Sequence, residues 1–207
     1  MKFPVNFISL EKELAPLARY LTGRVLNAGC GDRDISASLK RWHAVDVENC
    51  DIQSSIPGAM LCDLTHIPRP DDSYDSILCN AVLEHVPEPE QVMLELRRLL
   101  KPAGHLAISV PFLQPFHPTP FDFRRYTREG ILQLAERTGF RVLEMHPVHS
   151  LAQTLGWIVW AHLEEKRSRL GQLLCWLPIY LATRLFQTPS PAQTFAANGF
   201  QAVMVKS

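Results

Sequence analysis

Two glycines one residue apart, Gly29 and Gly31, follow directly on the apolar run Val25-Leu26-Asn27-Ala28. A buried strand that stops at Gly-x-Gly turns sharply and leaves its backbone bare, so that a ligand can lie against it; an ordinary tight turn is the plainer alternative. Two acids stand at the ends of the next apolar runs: Asp46 in Trp42-His43-Ala44-Val45-Asp46-Val47, and Asp63 after Ala59-Met60-Leu61-Cys62. In a nucleotide-type α/β fold, a carboxylate closing the second strand accepts both ribose hydroxyls of an adenosine, and one closing the third can receive the exocyclic amine of adenine. The alternatives are a solvated loop aspartate at 46 and a turn or N-cap aspartate at 63.

The elements that would position these residues alternate in type. Ile8 to Leu21 has helical spacing and stops at Gly23. Strand 1 covers Arg24 to Ala28, and a short helix spans Ile35 to Arg41. Strand 2 covers Trp42 to Val47, with its functional end at Asp46. Strand 3 is Ala59 to Cys62, and strand 4 is Tyr74 to Asn80. A strong helix runs from Glu88 to Leu100, where Pro102 and Gly104 stop it, and His105 to Val110 forms strand 5. A helix over Thr127 to Thr138 then precedes strand 6 at Phe140 to Met145. Such alternation implies an α/β fold with a largely parallel sheet, whose ligands bind outside the carboxyl ends of the strands.

The 207 residues fit one domain over 1–207, with 46% hydrophobic and 20% charged residues, a globular composition. Lys+Arg and Asp+Glu are equal at 21 each, which gives no basic footprint for nucleic acid. Five cysteines without a C-x-x-C pair indicate neither a disulfide framework nor a zinc ribbon, and fit a reducing cytoplasm. The first residues lack the apolar core and cleavage site of a secretory signal. No metal-ligand cluster is legible, and His146-x-x-His149 reads as a loop pair.

Several motifs together carry a family resemblance. Val25 to Gly31, the strand ending at Asp46, Cys62-Asp63-Leu64, the run Asp72-Ser73-Tyr74-Asp75-Ser76-Ile77-Leu78-Cys79-Asn80-Ala81-Val82-Leu83-Glu84-His85-Val86, and Leu99-Leu100-Lys101-Pro102-Ala103-Gly104 resemble class I S-adenosylmethionine-dependent methyltransferases, nearest the type-11 small-molecule branch. The resemblance covers roughly Gly23 to Met145 and implies S-adenosylmethionine as cofactor. It implies that Asn27, Gly29 and Gly31 cradle the methionine part, that Asp46 holds the ribose, that Cys62, Asp63 and Leu64 meet the adenine, and that Asn80 lines the methionine side. It further implies a Rossmann-like sheet with an antiparallel seventh strand, which the alternation of Gly199 to Lys206 can supply. Two departures stand out: Asn27 replaces the family's aspartate, and Arg33 replaces its third glycine. An amide still accepts a hydrogen bond and an arginine can reach water, so neither abolishes the site.

In the resembled fold, the segment after strand 5 borders the acceptor. Here it reads Pro111 to Thr127, stiffened by proline and carrying His117, Asp122, Arg124, Arg125 and Tyr126. His117 is the candidate base with Asp122 fixing its tautomer, His85 is the competing base, and Arg124, Arg125 and Tyr126 are candidate acceptor-binding residues. The alternative is a rigid loop whose Arg-Asp pairs only brace the next helix.

Residues 150–190 form an insertion before the last strand. Leu151 to Leu163 and Leu170 to Phe186 are apolar, rich in tryptophan, and too short to span a bilayer. They read as a helical lid over the active site, or as helices resting at a membrane interface or recognising a lipid-like acceptor. The insertion and the His117 segment together resemble bacterial methyltransferases of surface-polysaccharide pathways, which implies O-methylation of a sugar or lipid-linked acceptor. C-methylation of a prenylated quinone-like lipid and a non-catalytic scaffold are the rival readings. The expected location is the cytoplasm, with peripheral contact at the inner face of the membrane as an option.

Overall fold

The computed structural model describes residues 3–187 and 196–206. Seven strands, β1 (Gly23–Ala28), β2 (Ala44–Asp51), β3 (Met60–Leu61), β4 (Tyr74–Asn80), β5 (Leu100–Pro111), β6 (Phe140–Val148) and β7 (Gly199–Lys206), form one sheet in the order β3-β2-β1-β4-β5-β7-β6. The pairs from β3 to β5 are parallel, and β7 runs antiparallel to both β5 and β6. This is the α/β, Rossmann-like sheet with a reversed last strand that the motifs imply.

Both faces of the sheet are covered, and the period-two alternation of strands explains how. Leu26, Ala28, Ile77, Cys79, Leu106 and Ile108 point to one core, while Val25, Leu78 and Ala107 between them point to the other. The first core is closed by α3 (Pro89–Leu99) and α4 (Arg128–Arg137), the second by α1 (Leu10–Leu14), a following 3₁₀ segment (Ala15–Tyr20) and α2 (Ser36–Arg41). Val92, Met93, Leu96 and Leu99 on α3 are fully buried, each contributing on the order of 1.5–3 kcal/mol of transfer free energy. The expected opening helix, Ile8 to Leu21, is therefore only partly α-helical. Pro16 lacks an N–H and crowds the preceding turn, and the chain tightens to 3₁₀ there.

The second strand departs from expectation in a way that matters for function. It does not end near Asp46 but continues to Asp51. Asp46 pairs in register with Arg24 near the start of β1, at the opposite end of the sheet, and its exposed carboxylate lies 3.6 Å from the Arg24 guanidinium. Polar residues inside β2 hid its length, because each finds a neighbour: Glu48 accepts from Arg24, Arg69 and Tyr74, and Asn49 bonds Asn27 and Ser36.

The expected insertion is a pair of helices, α5 (Leu151–Glu165) and α6 (Arg169–Leu185); residues 188–190 of it lie outside the described residues. Ser150 and Gln153 form a reciprocal capping box that starts α5. The N-terminal segment fastens the pair to the sheet: the Asn6 N–H donates to Thr183 on α6, and Gln153 on α5 donates to the Asn6 carbonyl. Val5, Trp160 and Ile179 make a small core beneath them.

Candidate active site

The glycine turn joins the carboxyl ends of β1 and β2. The Gly29 and Cys30 N–H groups both donate to the Cys50 carbonyl, and the Gly31 N–H donates to Asp51 Oδ2 at 2.8 Å. Gly29 has φ of +74°, and a Cβ there would lie 2.2 Å from Val82 Cγ2. Gly31, with φ of +54°, would meet nothing within 4 Å, so its Cα side faces open space. The two glycines thus serve different ends. Gly29 admits the start of the Val82-to-Val86 segment, and Gly31 keeps a surface bare.

Asp51 occupies the place at the end of the second strand that sequence reasoning gave to Asp46. Its Oδ1 also accepts from the Gln53 N–H, and its carbonyl accepts from the Cys62 N–H. Asp63 is exposed; Oδ1 holds the Thr65 N–H and hydroxyl in a tight turn, and these bonds keep its carboxyl below the ordinary range. Leu64 is buried in the core, whereas Cys62 is partly buried beside it. Asn27 is buried below the turn and donates to Asn49, so it braces β1 against β2. Asn80 ends β4, and its buried Oδ1 has no hydrogen-bond partner among the described residues.

A second group lies where β4 and β5 give way to loops. Leu83, Glu84 and Pro111 hold the 112–127 loop in place: Tyr126 donates its hydroxyl to the Leu83 carbonyl, and the N–H groups of Phe123 and Tyr126 donate to the Glu84 and Pro111 carbonyls. This brings His117 beside His85, with ring centroids 5.5 Å apart. One ligand-type atom each of Glu84, His85 and His117 lies within 4.8 Å of the others, a grouping that no sequence spacing announces. His85 Nδ1 faces the Phe121 carbonyl and His117 Nδ1 faces the Pro115 carbonyl at 2.8 Å. A carbonyl only accepts, so the Nδ1 atom of each ring donates there and turns Nε2 toward the site, with the Arg125 guanidinium 3.4 Å from His117 Nδ1 as a further neighbour. Glu84 is almost fully buried, its Oε2 is unpartnered, and desolvation pushes its carboxyl up to about 7. One carboxylate and two such imidazoles can move a proton near neutral pH, and the same donor set suits a divalent transition metal.

Asp122 plays a different part from the one expected. It accepts the His117 backbone N–H at 2.8 Å, while its carboxylate lies 3.8 Å from the ring Nδ1. It therefore fixes the loop, and the Pro115 carbonyl sets the tautomer. Arg125 grips Asp122 and the Pro115 and Gln114 carbonyls, which holds the Asp122 carboxyl far below its usual range. Its guanidinium is committed inside the loop, and Tyr126 is buried with its hydroxyl engaged. The contacts of both residues thus lie within the loop and the core, whereas the expectation placed them on the acceptor. Arg124 donates to the Pro87 carbonyl at 2.7 Å. With Tyr126 it lines a cleft of 420 Å³ between α3 and α4 that includes neither the glycine turn nor the two histidines.

The opposite wall comes from parts of the chain that carry no motif. The rings of His149, Phe7, Trp157, His117 and His85 follow one another at centroid distances of 4.6, 5.5, 6.0 and 5.5 Å. His149 Nε2 lies 3.5 Å from Glu13 Oε2. Burial pushes Glu13 up to about 7, tempered by the Arg33 charge, and pushes His149 down to about 4, so between those values both are uncharged. No sequence spacing announces this wall, because its residues come from segments far apart in the chain.

A sheet of this order, with a bare glycine turn and an acid at the ends of β1 and β2, defines the class I methyltransferase fold. The chain matches the methyltransferase-domain family over residues 7–203 and belongs to it. It is 29% identical over 171 residues to a probable S-adenosylmethionine-dependent methyltransferase of Mycolicibacterium smegmatis, covering 75% of this chain and 63% of that protein. Over 101 residues it is 31% identical to a ubiquinone biosynthesis O-methyltransferase of Photorhabdus laumondii, covering 42% of each. Among solved structures, a SAM-dependent methyltransferase from Archaeoglobus fulgidus matches with a TM-score of 0.65 at 16% identity, covering 95% of this chain and 93% of that one. The chain spans less than two thirds of the length of these curated relatives.

Proposed function

We propose that this chain transfers the methyl group of S-adenosylmethionine to a hydroxyl of a small-molecule acceptor, a sugar or a lipid-linked glycan of bacterial surface-polysaccharide type. The observation that carries the reading is the convergence, at one end of the sheet, of a bare glycine turn and Asp51 with the Glu84, His85 and His117 group. The site suits the cofactor on its own terms. Gly31 leaves open the face that a ligand would occupy, and the orphaned Asn80 Oδ1 is an acceptor that lacks a donor such as an amino acid's ammonium group. Asp51 takes the ribose hydroxyls, and Asp63 with Cys62 and Leu64 borders the adenine.

Bound there, S-adenosylmethionine supplies a methyl group on sulfonium, a leaving group that needs no further activation. The protein's tasks are alignment and removal of the acceptor's proton. His117 Nε2, freed for acceptance by the Nδ1 bond to Pro115, receives the hydroxyl proton, and the Asp122 carboxylate, 3.8 Å from the ring, stabilises the imidazolium that results. The ring row from His149 to His85 excludes water from that transfer. C-methylation of a prenylated quinone-like lipid would also release a proton to a base, from the ring or its hydroxyl, so the two reactions are separated by the position of the methyl group in the product.

The test is calorimetric titration with S-adenosylmethionine and S-adenosylhomocysteine, followed by an acceptor assay beginning with lipid-linked sugars. Micromolar affinity, about 8 kcal/mol of binding free energy, with turnover lost in His117→Ala is the expected result. Folded protein that binds neither compound would leave a non-catalytic scaffold as the function.

A further inference from the structure

The outer faces of α5 and α6 are apolar and uncovered. Leu170, Leu173, Leu174, Leu177, Leu181 and Leu185 recur at helical spacing along α6, each between 46% and 75% exposed. On α5, Leu151, Leu155, Ile158 and Val159 are also exposed. Between the helices Leu155, Val159, Pro178, Ala182 and Phe186 line an open groove of 610 Å³ that is almost wholly apolar. A contiguous patch of this kind marks a binding surface.

Charge identifies what covers it. Glu164 and Glu165 close α5, and from Lys166 onward the sequence contains no Asp or Glu, although acids and bases balance over the whole chain. Lys166, Arg167 and Arg169 cluster at the turn between the helices and Arg184 stands near the far end of α6; none of them forms an ion pair among the described residues. Cations at both ends of a leucine face, with Trp176 stacked on Tyr180 at 5.2 Å, are the pattern of helices lying in a bilayer interface beside anionic headgroups. Neither helix is long and apolar enough to cross a membrane.

We propose that α5 and α6 dock the protein on an anionic lipid surface, with the leucine face of α6 and the intervening groove embedded among acyl chains and Lys166, Arg167, Arg169 and Arg184 at the phosphates. The membrane contact does not depend on the methyl-transfer reading. Its consequence for the acceptor does: Trp157 on α5 lies against His117, so an acceptor carried by a lipid would reach the site along the same helix that holds the bilayer.

The experiment is flotation of the purified full chain with vesicles of phosphatidylcholine, with and without phosphatidylglycerol. The wild type floats with the anionic vesicles and only weakly with the neutral ones. Leu173→Glu with Leu177→Glu, both at exposed positions, reduces the bound fraction at least about tenfold, since a charge on the embedded face is expelled from hydrocarbon. Lys166→Gln, Arg167→Gln and Arg169→Gln together weaken partitioning on anionic vesicles about a hundredfold, at roughly a factor of five for each cation near the surface. Circular dichroism and S-adenosylhomocysteine titration check the fold of each variant separately from membrane binding. Folded wild type that stays with no vesicle, or flotation unchanged in the leucine variant, overturns the proposal. A dimer in light scattering that the leucine variant dissolves, with no flotation, assigns the face to a second copy and overturns it equally.

Discussion

Asp51 Oδ2 accepts the Gly31 N–H at 2.8 Å, so the acid that ends the second strand also holds the glycine turn in shape. Asp46, five residues earlier, sits at the other end of the sheet against Arg24. Asp51→Ala is therefore expected to weaken S-adenosylhomocysteine binding by about tenfold to a hundredfold, through lost charged hydrogen bonds, while Asp46→Ala leaves affinity unchanged. Calorimetry on the two variants decides between them; equal effects would remove Asp51 from its ribose role.

The two glycines should fail differently. Gly29→Ala drives a methyl into Val82 on a backbone with positive φ, and thermal melting should show a loss of several kcal/mol or no folded protein. Gly31→Ala meets no protein atom, so the strain of its positive φ is the main cost, about 1 kcal/mol. It should fold and yet bind the cofactor poorly. Full affinity in Gly31→Ala would mean that the open face is not the ligand's.

His117→Ala should leave cofactor affinity near normal and reduce methyl transfer about a hundredfold or more, the usual scale of general base catalysis. Asp122→Asn should also slow turnover, but through a loosened loop, seen as faster amide exchange at His117 and Phe123. The rate is expected to survive EDTA. Loss on chelation with recovery on adding zinc would reassign Glu84, His85 and His117 as metal ligands.

Glu84 gives a pH signature. Its carboxyl is raised by burial to about 7 from an ordinary value of 4.5, so folding favours the protonated form. The contribution is complete below about pH 4.5 and is lost as pH rises through about 7. Relative to Glu84→Gln, which cannot ionise, the wild type should lose up to about 3 kcal/mol between those limits in urea melts. Parallel curves would show that Glu84 titrates alike in the folded and the unfolded chain.

The sheet was readable because its strands alternate between two apolar cores, as at Ile77, Leu78 and Cys79, and because helix α3 has one clean apolar face. The glycine turn and Asn80 were readable because each closes such a strand. The end of β2 was not, since Glu48 and Asn49 look like loop residues until Arg69, Tyr74 and Asn27 are brought beside them by the fold. Asp122 and Arg125 were recognisable as a pair, but their roles turn on which atoms meet. Glu13, His149 and Trp157 carry no local pattern at all, and only tertiary packing of distant segments assembles them.

Asn6 joins α5 and α6 to the body of the protein through its own N–H and carbonyl, across a separation of 177 residues in the case of Thr183. During translation that amide leaves the ribosome long before either helix exists, so the segment around Val5 and Phe7 waits unpaired while the sheet accumulates. The helices arrive late and carry their exposed leucines with them. Nascent chains stalled before Thr183 should therefore be prone to capture by chaperones or lipid.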